Sequence, residues 1–140
     1  MIKNTKKTLS IKEVSAKFNI SQDTLRYYER VGMIPPVPRT ASGIRAYGET
    51  DLGWVELALC MRSAGLPVEV MIEYLRLFQE GNKTIKARLT LLQDQRDVLL
   101  EQESNIRATI NRLDYKISRY ENAVKTGKLS WPKQDATCKK

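Results

Sequence analysis

The sequence contains no histidine, and of its 140 residues only two are cysteine, two tryptophan and two phenylalanine. Without histidine, the commonest general base and the commonest transition-metal ligand are missing. Cys60 and Cys138 do not make a disulfide framework, so a reducing bacterial cytoplasm is the expected compartment. No apolar run approaches the ~18 residues of a membrane span, and no signal-peptide core follows Met1. A nucleophile–base pair, a metal-ligand cluster and a phosphate-cradling glycine loop are all lacking. No enzyme, metal site, cofactor or membrane partner is therefore expected.

Acid is also in short supply. The 16 Asp and Glu face 24 Lys and Arg, which leaves a net charge of +8 and favours a polyanionic partner. The excess is uneven: residues 1–50 carry 9 basic and 4 acidic side chains, residues 51–80 carry 2 and 5, and residues 81–140 carry 13 and 7. A basic amino-terminal head is thus separated from a basic carboxy-terminal half by an acidic middle.

Within that head, Thr24-Leu25-Arg26-Tyr27-Tyr28-Glu29-Arg30-Val31-Gly32 crowds two arginines and two tyrosines into one helix-length run. Arginine pairs with phosphate or guanine through its planar fork, and a tyrosine hydroxyl can bond a phosphate while its ring packs on a sugar. Upstream, Ser10-Ile11-Lys12-Glu13 has the spacing of a capping box, and Ile11, Val14 and Phe18 share one face of a two-turn helix. Asn19 suits a left-handed stop, Ser21 can cap the second helix, and Gly32 can end it. Two short helices so joined form a helix-turn-helix whose second helix enters the major groove.

Pro35, Pro36 and Pro38 then forbid a helix, and Ser42-Gly43 marks a turn, so residues 33–47 are expected to form a short two-stranded β-hairpin wing. The candidate DNA contacts are Lys17, Ser21, Thr24, Arg26, Tyr27, Tyr28, Arg39, Arg45 and Tyr47. A third helix is expected from Gly48 or Glu49 to Ala64-Gly65, and a fourth from Pro67 to Gly81-Asn82. In the fourth helix Val70, Leu77 and Phe78, with Met71, Tyr74 and Leu75, are expected to close the core.

From Thr84 the economical reading is one long helix. Ile85, Leu89, Leu92, Arg96, Leu99, Glu103, Ile106, Ile110, Leu113, Ile117, Tyr120 and Val124 alternate in steps of four and three, as a coiled-coil seam does. A helix of about 40 residues is roughly 60 Å long at ~1.5 Å per residue, too long to bury its stripe on the small head alone. It requires a partner helix. Parallel pairing would set Arg96 against Arg96 and Glu103 against Glu103. Antiparallel pairing gives layers 85/117, 89/113, 92/110, 96/106 and 99/103, and brings Arg96 of one chain about a turn from Glu103 of the other. An antiparallel homodimer is expected. The resulting architecture is mainly α: a flexible basic tail (1–9), a winged helix-turn-helix DNA-binding domain (10–81), a dimerisation helix (82–125) and a flexible tail (126–140) in which Trp131 could dock.

This order of parts resembles the MerR family of bacterial transcription regulators. The Thr24-Leu25-Arg26-Tyr27-Tyr28-Glu29 run, the Gly32-Met33-Ile34 helix exit and the Gly43-Ile44-Arg45-Ala46-Tyr47 wing carry the resemblance over roughly residues 9–122. Gly48 departs from a commonly capping Thr, and Pro67 from a common Ser or Thr. The resemblance implies a dimer on double-stranded promoter DNA that bends and untwists an over-long spacer, acting on RNA polymerase indirectly. Metal-sensing members carry cysteines at the start and end of the long helix, and residues 79–84 and 112–130 here contain none. The Trp54–Pro67 stretch resembles a branch responsive to aldehyde, nitrosative or electrophile stress, which implies that Cys60 is the sensor. On residue chemistry alone Cys60 reads as an inert buried thiol flanking the Leu52/Val55/Leu59 stripe. Two other classes stay open on the sequence: an inducer-independent, excisionase-like DNA bender, and a coiled-coil module whose basic head serves RNA or an acidic protein.

Overall fold

The computed structural model describes residues 7–132; Lys3, Lys6 and Cys138 lie outside them. Five helices follow one another: α1 (Ile11–Phe18), α2 (Gln22–Val31), α3 (Glu49–Ser63), α4 (Val68–Gln79) and α5 (Ile85–Thr126). The chain divides into two compact units, Met1–Gln95 and Arg96–Lys140.

In the first unit the capping box forms as expected. The Ser10 amide donates to Glu13 Oε1 at 2.8 Å, and the Glu13 amide donates to Ser10 Oγ at 3.1 Å. Asn19 takes the left-handed conformation (φ 56°) that stops α1, and the Ser15 hydroxyl donates to the Ile20 carbonyl to close the turn. Ser21 Oγ then accepts the Thr24 amide, and Gly32, at φ 89°, reverses the chain after Val31. Val14 of α1 and Leu25 of α2 are completely buried.

The wing is thinner than expected. Its arms meet in one antiparallel bridge, Arg39 with Arg45, closed by Thr40–Ile44 and Gly43–Thr40 backbone bonds around the left-handed Gly43. A longer ladder would need amide donors that Pro35, Pro36 and Pro38 lack. A second bridge corrects the expected tail boundary: Leu9 exchanges backbone hydrogen bonds of 2.9 and 2.8 Å with Tyr47, which ties the segment before α1 to the base of the wing. Met33, Ile34, Val37 and Tyr47 are buried beside Val55, Ala58, Leu66, Met71 and Leu75 of the head.

Asp51 performs half of the missing cap at Gly48, accepting its amide at 2.9 Å. Pro67 stands at the N-cap of α4, one position before the helix proper. Phe78, expected in the core, is instead 47% exposed, because at the end of α4 its ring turns outward to Trp54 (centroids 5.2 Å apart). The compact unit also continues past residue 81. Thr84, buried in a 3-10 turn over Asn82–Thr84, donates to the Leu77 and Gly81 carbonyls, and Arg88 bonds Thr84 Oγ1 and the Gly81 carbonyl.

The second unit contains the rest of α5 and its return. Along its 42 residues α5 has no buried side chain. Beyond it the chain is not loose, as was expected, but folds back. Gly127 turns at φ 78°, Arg119 holds the Ser130 carbonyl and hydroxyl, and Trp131 lies against Tyr115 and Tyr120 with Lys116 over its ring. The strap over residues 127–132 is fixed by those three aromatic rings and two cations.

Candidate nucleic-acid interface

The outward face of α2 carries Arg26, Tyr27 and Arg30. Tyr27 is 38% exposed and supports the Arg30 guanidinium 5.5 Å above its ring. Arg26 donates to Asp23 at 2.9 Å and to Gln22 at 3.2 Å. Its partner Asp23 is almost fully exposed, and such surface pairs are worth roughly 0–1 kcal/mol, so Arg26 can leave Asp23 for a phosphate at little cost. Thr24 shares its hydroxyl with Ser21, and Lys17 lies over the Phe18 ring at the end of α1. On the wing, Arg39 is held by the Gly43 carbonyl at 2.8 Å.

Arg45 is placed differently. Its Nε donates to Glu29 Oε1 at 2.7 Å, and only about a fifth of its side chain is exposed. The other oxygen of the same carboxylate accepts the Val37 amide at 3.0 Å. Glu29 therefore ties both arms of the wing to the recognition helix, and the two Nη groups of Arg45 keep no protein acceptor among the described residues. Sequence reasoning assigned Glu29 no role. The signal was available in its spacing: Leu25, Tyr28 and Glu29 lie one turn apart, so Glu29 sits at the edge of the face that Leu25 buries.

Two expected contacts require correction. Tyr28 is 8% exposed and Tyr47 is completely buried, so both rings belong to the core of the free chain and not to its DNA-facing surface. The Tyr47 hydroxyl is buried without a hydrogen-bond partner among the described residues. Burial holds the Tyr47 hydroxyl above the ordinary tyrosine range, with Arg45 acting against that shift, and burial likewise raises Tyr28 against the opposing charge of Arg62. The spacing of Arg45 and Tyr47 was legible, but alternation along the wing puts only one of them at the carboxylate. The other is pulled inward by the Leu9 bridge. The described residues contain no cluster of side chains suited to a metal ion.

Residues 10–47, which span the helix-turn-helix and the wing, match the family described as "MerR family regulatory protein". A solved structure of a MerR family transcriptional regulator from Listeria monocytogenes is 44% identical, with a TM-score of 0.81 over 85% of this chain and 90% of that one. The chain belongs to the MerR family. It is a DNA-binding transcription regulator and not an enzyme. The HTH-type transcriptional regulator AdhR of Bacillus subtilis (strain 168) is 52% identical over 93 residues, a match that spans 66% of each chain. HiNmlR, a MerR family regulator lacking the sensor domain and solved bound to promoter DNA, is 28% identical, with a TM-score of 0.78 over 86% of this chain and 95% of that one. These similarities place the present chain in the AdhR- and NmlR-like branch of the MerR family.

Two outcomes follow from this MerR head. Glu29→Gln removes the charge that Arg45 faces and should lower stability by about 1–3 kcal/mol, which a thermal melt reads as a drop of several degrees. Operator affinity should fall with it; an unchanged melt and gel shift would mean the clamp is dispensable. Tyr47→Phe removes a buried hydroxyl that has no partner, so at neutral pH it should leave stability unchanged or raised, with operator affinity as before. A weakened gel shift with an intact melt would return Tyr47 to the DNA contacts.

Proposed function

We propose that the protein works as a homodimer that bends promoter DNA, with its two heads joined by antiparallel pairing of α5 and its output set by modification of Cys60. The observation that carries this reading is the pairing of a basic reading head with an unsheathed apolar seam in one chain. Ile85, Leu89, Ile106, Leu113 and Ile117 are each more than half exposed in the single chain. Burying such a side chain is worth about 1.5–3 kcal/mol, so a seam of this length is a strong drive to associate. Two heads related by a two-fold axis suit two half-sites of a palindrome. Smooth bending of a site of 20–30 base pairs costs on the order of 1–6 kcal/mol, a sum the phosphate contacts of two heads can meet. Polymerase then responds to the reshaped promoter with no contact from the regulator itself.

Lys17, Ser21, Thr24, Arg26, Tyr27 and Arg39 are the outward groups proposed to meet DNA, and the Nη groups of Arg45 join them at the wing. Leu92, Arg96, Leu99, Glu103 and Ile110 complete the dimer seam. For the switch, the supporting fact is that the free Cys60 thiol is exposed. It lies on the face of α3 shared with Gly53 and Leu57, away from the buried Val55, Ala58 and Met61. A Cβ at Gly53 would meet nothing within 4 Å, so this face has room for an adduct. With an aldehyde, the thiolate sulfur adds to the carbonyl carbon, the C=O π electrons move to oxygen, and that oxygen takes a proton from water to give a hemithioacetal. The bulkier side chain then shifts how the two heads stand on the DNA.

Replacing Leu99 with Asp puts a charge in the seam and should cost several kcal/mol of association. Analytical sedimentation at micromolar concentration should then find monomer, and a persistent dimer would mean the seam is misassigned. Cys60→Ala should bind the operator as the wild type does while losing transcriptional induction by aldehyde. Full induction in that variant would place the sensor elsewhere.

A further inference from the structure

Two aromatic groups lie on one flank of α5. In the head, Phe78 packs on Trp54 at 5.2 Å, Trp54 on Tyr74 at 5.9 Å, and the Arg88 guanidinium covers Phe78 at 5.2 Å. Phe78 remains 47% exposed, so this shelf is unfinished in the single chain. In the second unit, Trp131 of the strap packs at 6.2 Å from Tyr115 and 6.3 Å from Tyr120, with Lys116 Nζ 5.4 Å from its ring centre. The two covering cations occupy equivalent places in the seven-residue pattern. Arg88 directly precedes the seam residue Leu89, and Lys116 directly precedes Ile117. Antiparallel pairing about a two-fold axis brings like flanks of the two helices together. The seam layers pair residues such as 89 with 113 and 85 with 117, so Arg88 of one chain comes level with Lys116 of its partner to within about half a turn.

We propose that the Trp131 strap of one protomer docks on the partner's Phe78–Trp54–Tyr74 shelf, so that each end of the dimer is closed by an aromatic contact between subunits. The occupant is a second copy of this chain, and the inference rests on the antiparallel pairing of α5. Charge agrees with it. Beside the shelf, residues 51–80 carry 5 acidic and 2 basic side chains, whereas residues 113–132 carry Lys116, Arg119, Lys125 and Lys128 against Asp114 and Glu121. The two facing cations are each spread over a ring, which lessens their mutual repulsion. Because the shelf includes Trp54, on the same helix as Cys60, the docked strap makes the partner's second unit a physical neighbour of the sensing helix.

The test is complementation between two full-length variants, Trp131→Ala and Phe78→Ala, carrying different tags. Either homodimer has both contacts damaged, and its dissociation constant should rise about tenfold or more, since an aromatic pair adds roughly 0.5–1.5 kcal/mol and occurs twice. The mixed dimer keeps one contact whole. It should therefore form in excess of the statistical share when the variants are mixed and separated by tag. A statistical distribution overturns the docking. Phe78→Leu, which keeps apolar bulk, serves if Phe78→Ala does not fold, and should show the same excess at smaller size. The underlying pairing is read separately with Cys60→Ser/Cys138→Ser protein carrying Leu89→Cys. That variant should not cross-link to itself, and should do so only when Leu113→Cys is added. Self-cross-linking by Leu89→Cys alone, or a monomeric wild type, removes the antiparallel dimer and the docking with it.

Discussion

The Glu29 carboxylate is shared between two arms of the wing, accepting the Arg45 Nε with one oxygen and the Val37 amide with the other. It projects from the recognition helix itself, so the angle between that helix and the wing is set by one residue. The clamp is partly desolvated, with both side chains mostly covered, and it is more than an ornamental surface pair for that reason. Around it the head supplies apolar support: Leu25 and Tyr28 beneath the helix, Met33, Ile34 and Val37 beneath the first arm, and Tyr47 beneath the second. A rigid head matters to a protein that deforms DNA, because a joint that yields would absorb the strain meant for the duplex.

The charged groups fall into two energetic kinds. Arg26 with Asp23, and Arg76 with Glu73 and Glu80, are exposed pairs that solvent screens and that a stronger ligand can break. The Arg76 charge and the hydrogen bond it makes hold the Glu73 carboxyl below its ordinary range, yet both groups stand in water and the pair says little about stability. Arg45 with Glu29 is the covered kind. The surface arginines are thus available for phosphate, while the covered one is committed to architecture through Nε and offers DNA only its outer amino groups.

Much of the head was legible from its punctuation. Ser10 with Glu13, Asn19, Ser21 and Gly32 each signal a helix boundary through a local bond or a left-handed conformation, and each stands where the structure ends or begins a helix. The long seam was equally plain, since its period extends over many turns. Long-range pairings were not legible. Nothing in the spacing of Leu9 and Tyr47 announces a backbone bridge, and that bridge is what draws the Tyr47 ring into the core. Phe78 has the periodicity of a core residue, but it lies at the end of α4, where the outward Trp54 competes for it. The strap escaped because its ordering depends on Arg119, Lys116 and two tyrosines meeting one tryptophan across a glycine turn, a contact that composition cannot express.

What unites the head, the seam and Cys60 is the claim that this MerR regulator acts by reshaping promoter DNA. In vitro transcription with purified polymerase from two templates tests it: the natural promoter, and a copy whose spacer is shortened to the length polymerase ordinarily reads. The account predicts that aldehyde-treated protein stimulates the natural promoter and fails to stimulate, or represses, the shortened one. Equal stimulation of both templates would contradict it, since a protein that merely recruits polymerase has no use for the longer spacer.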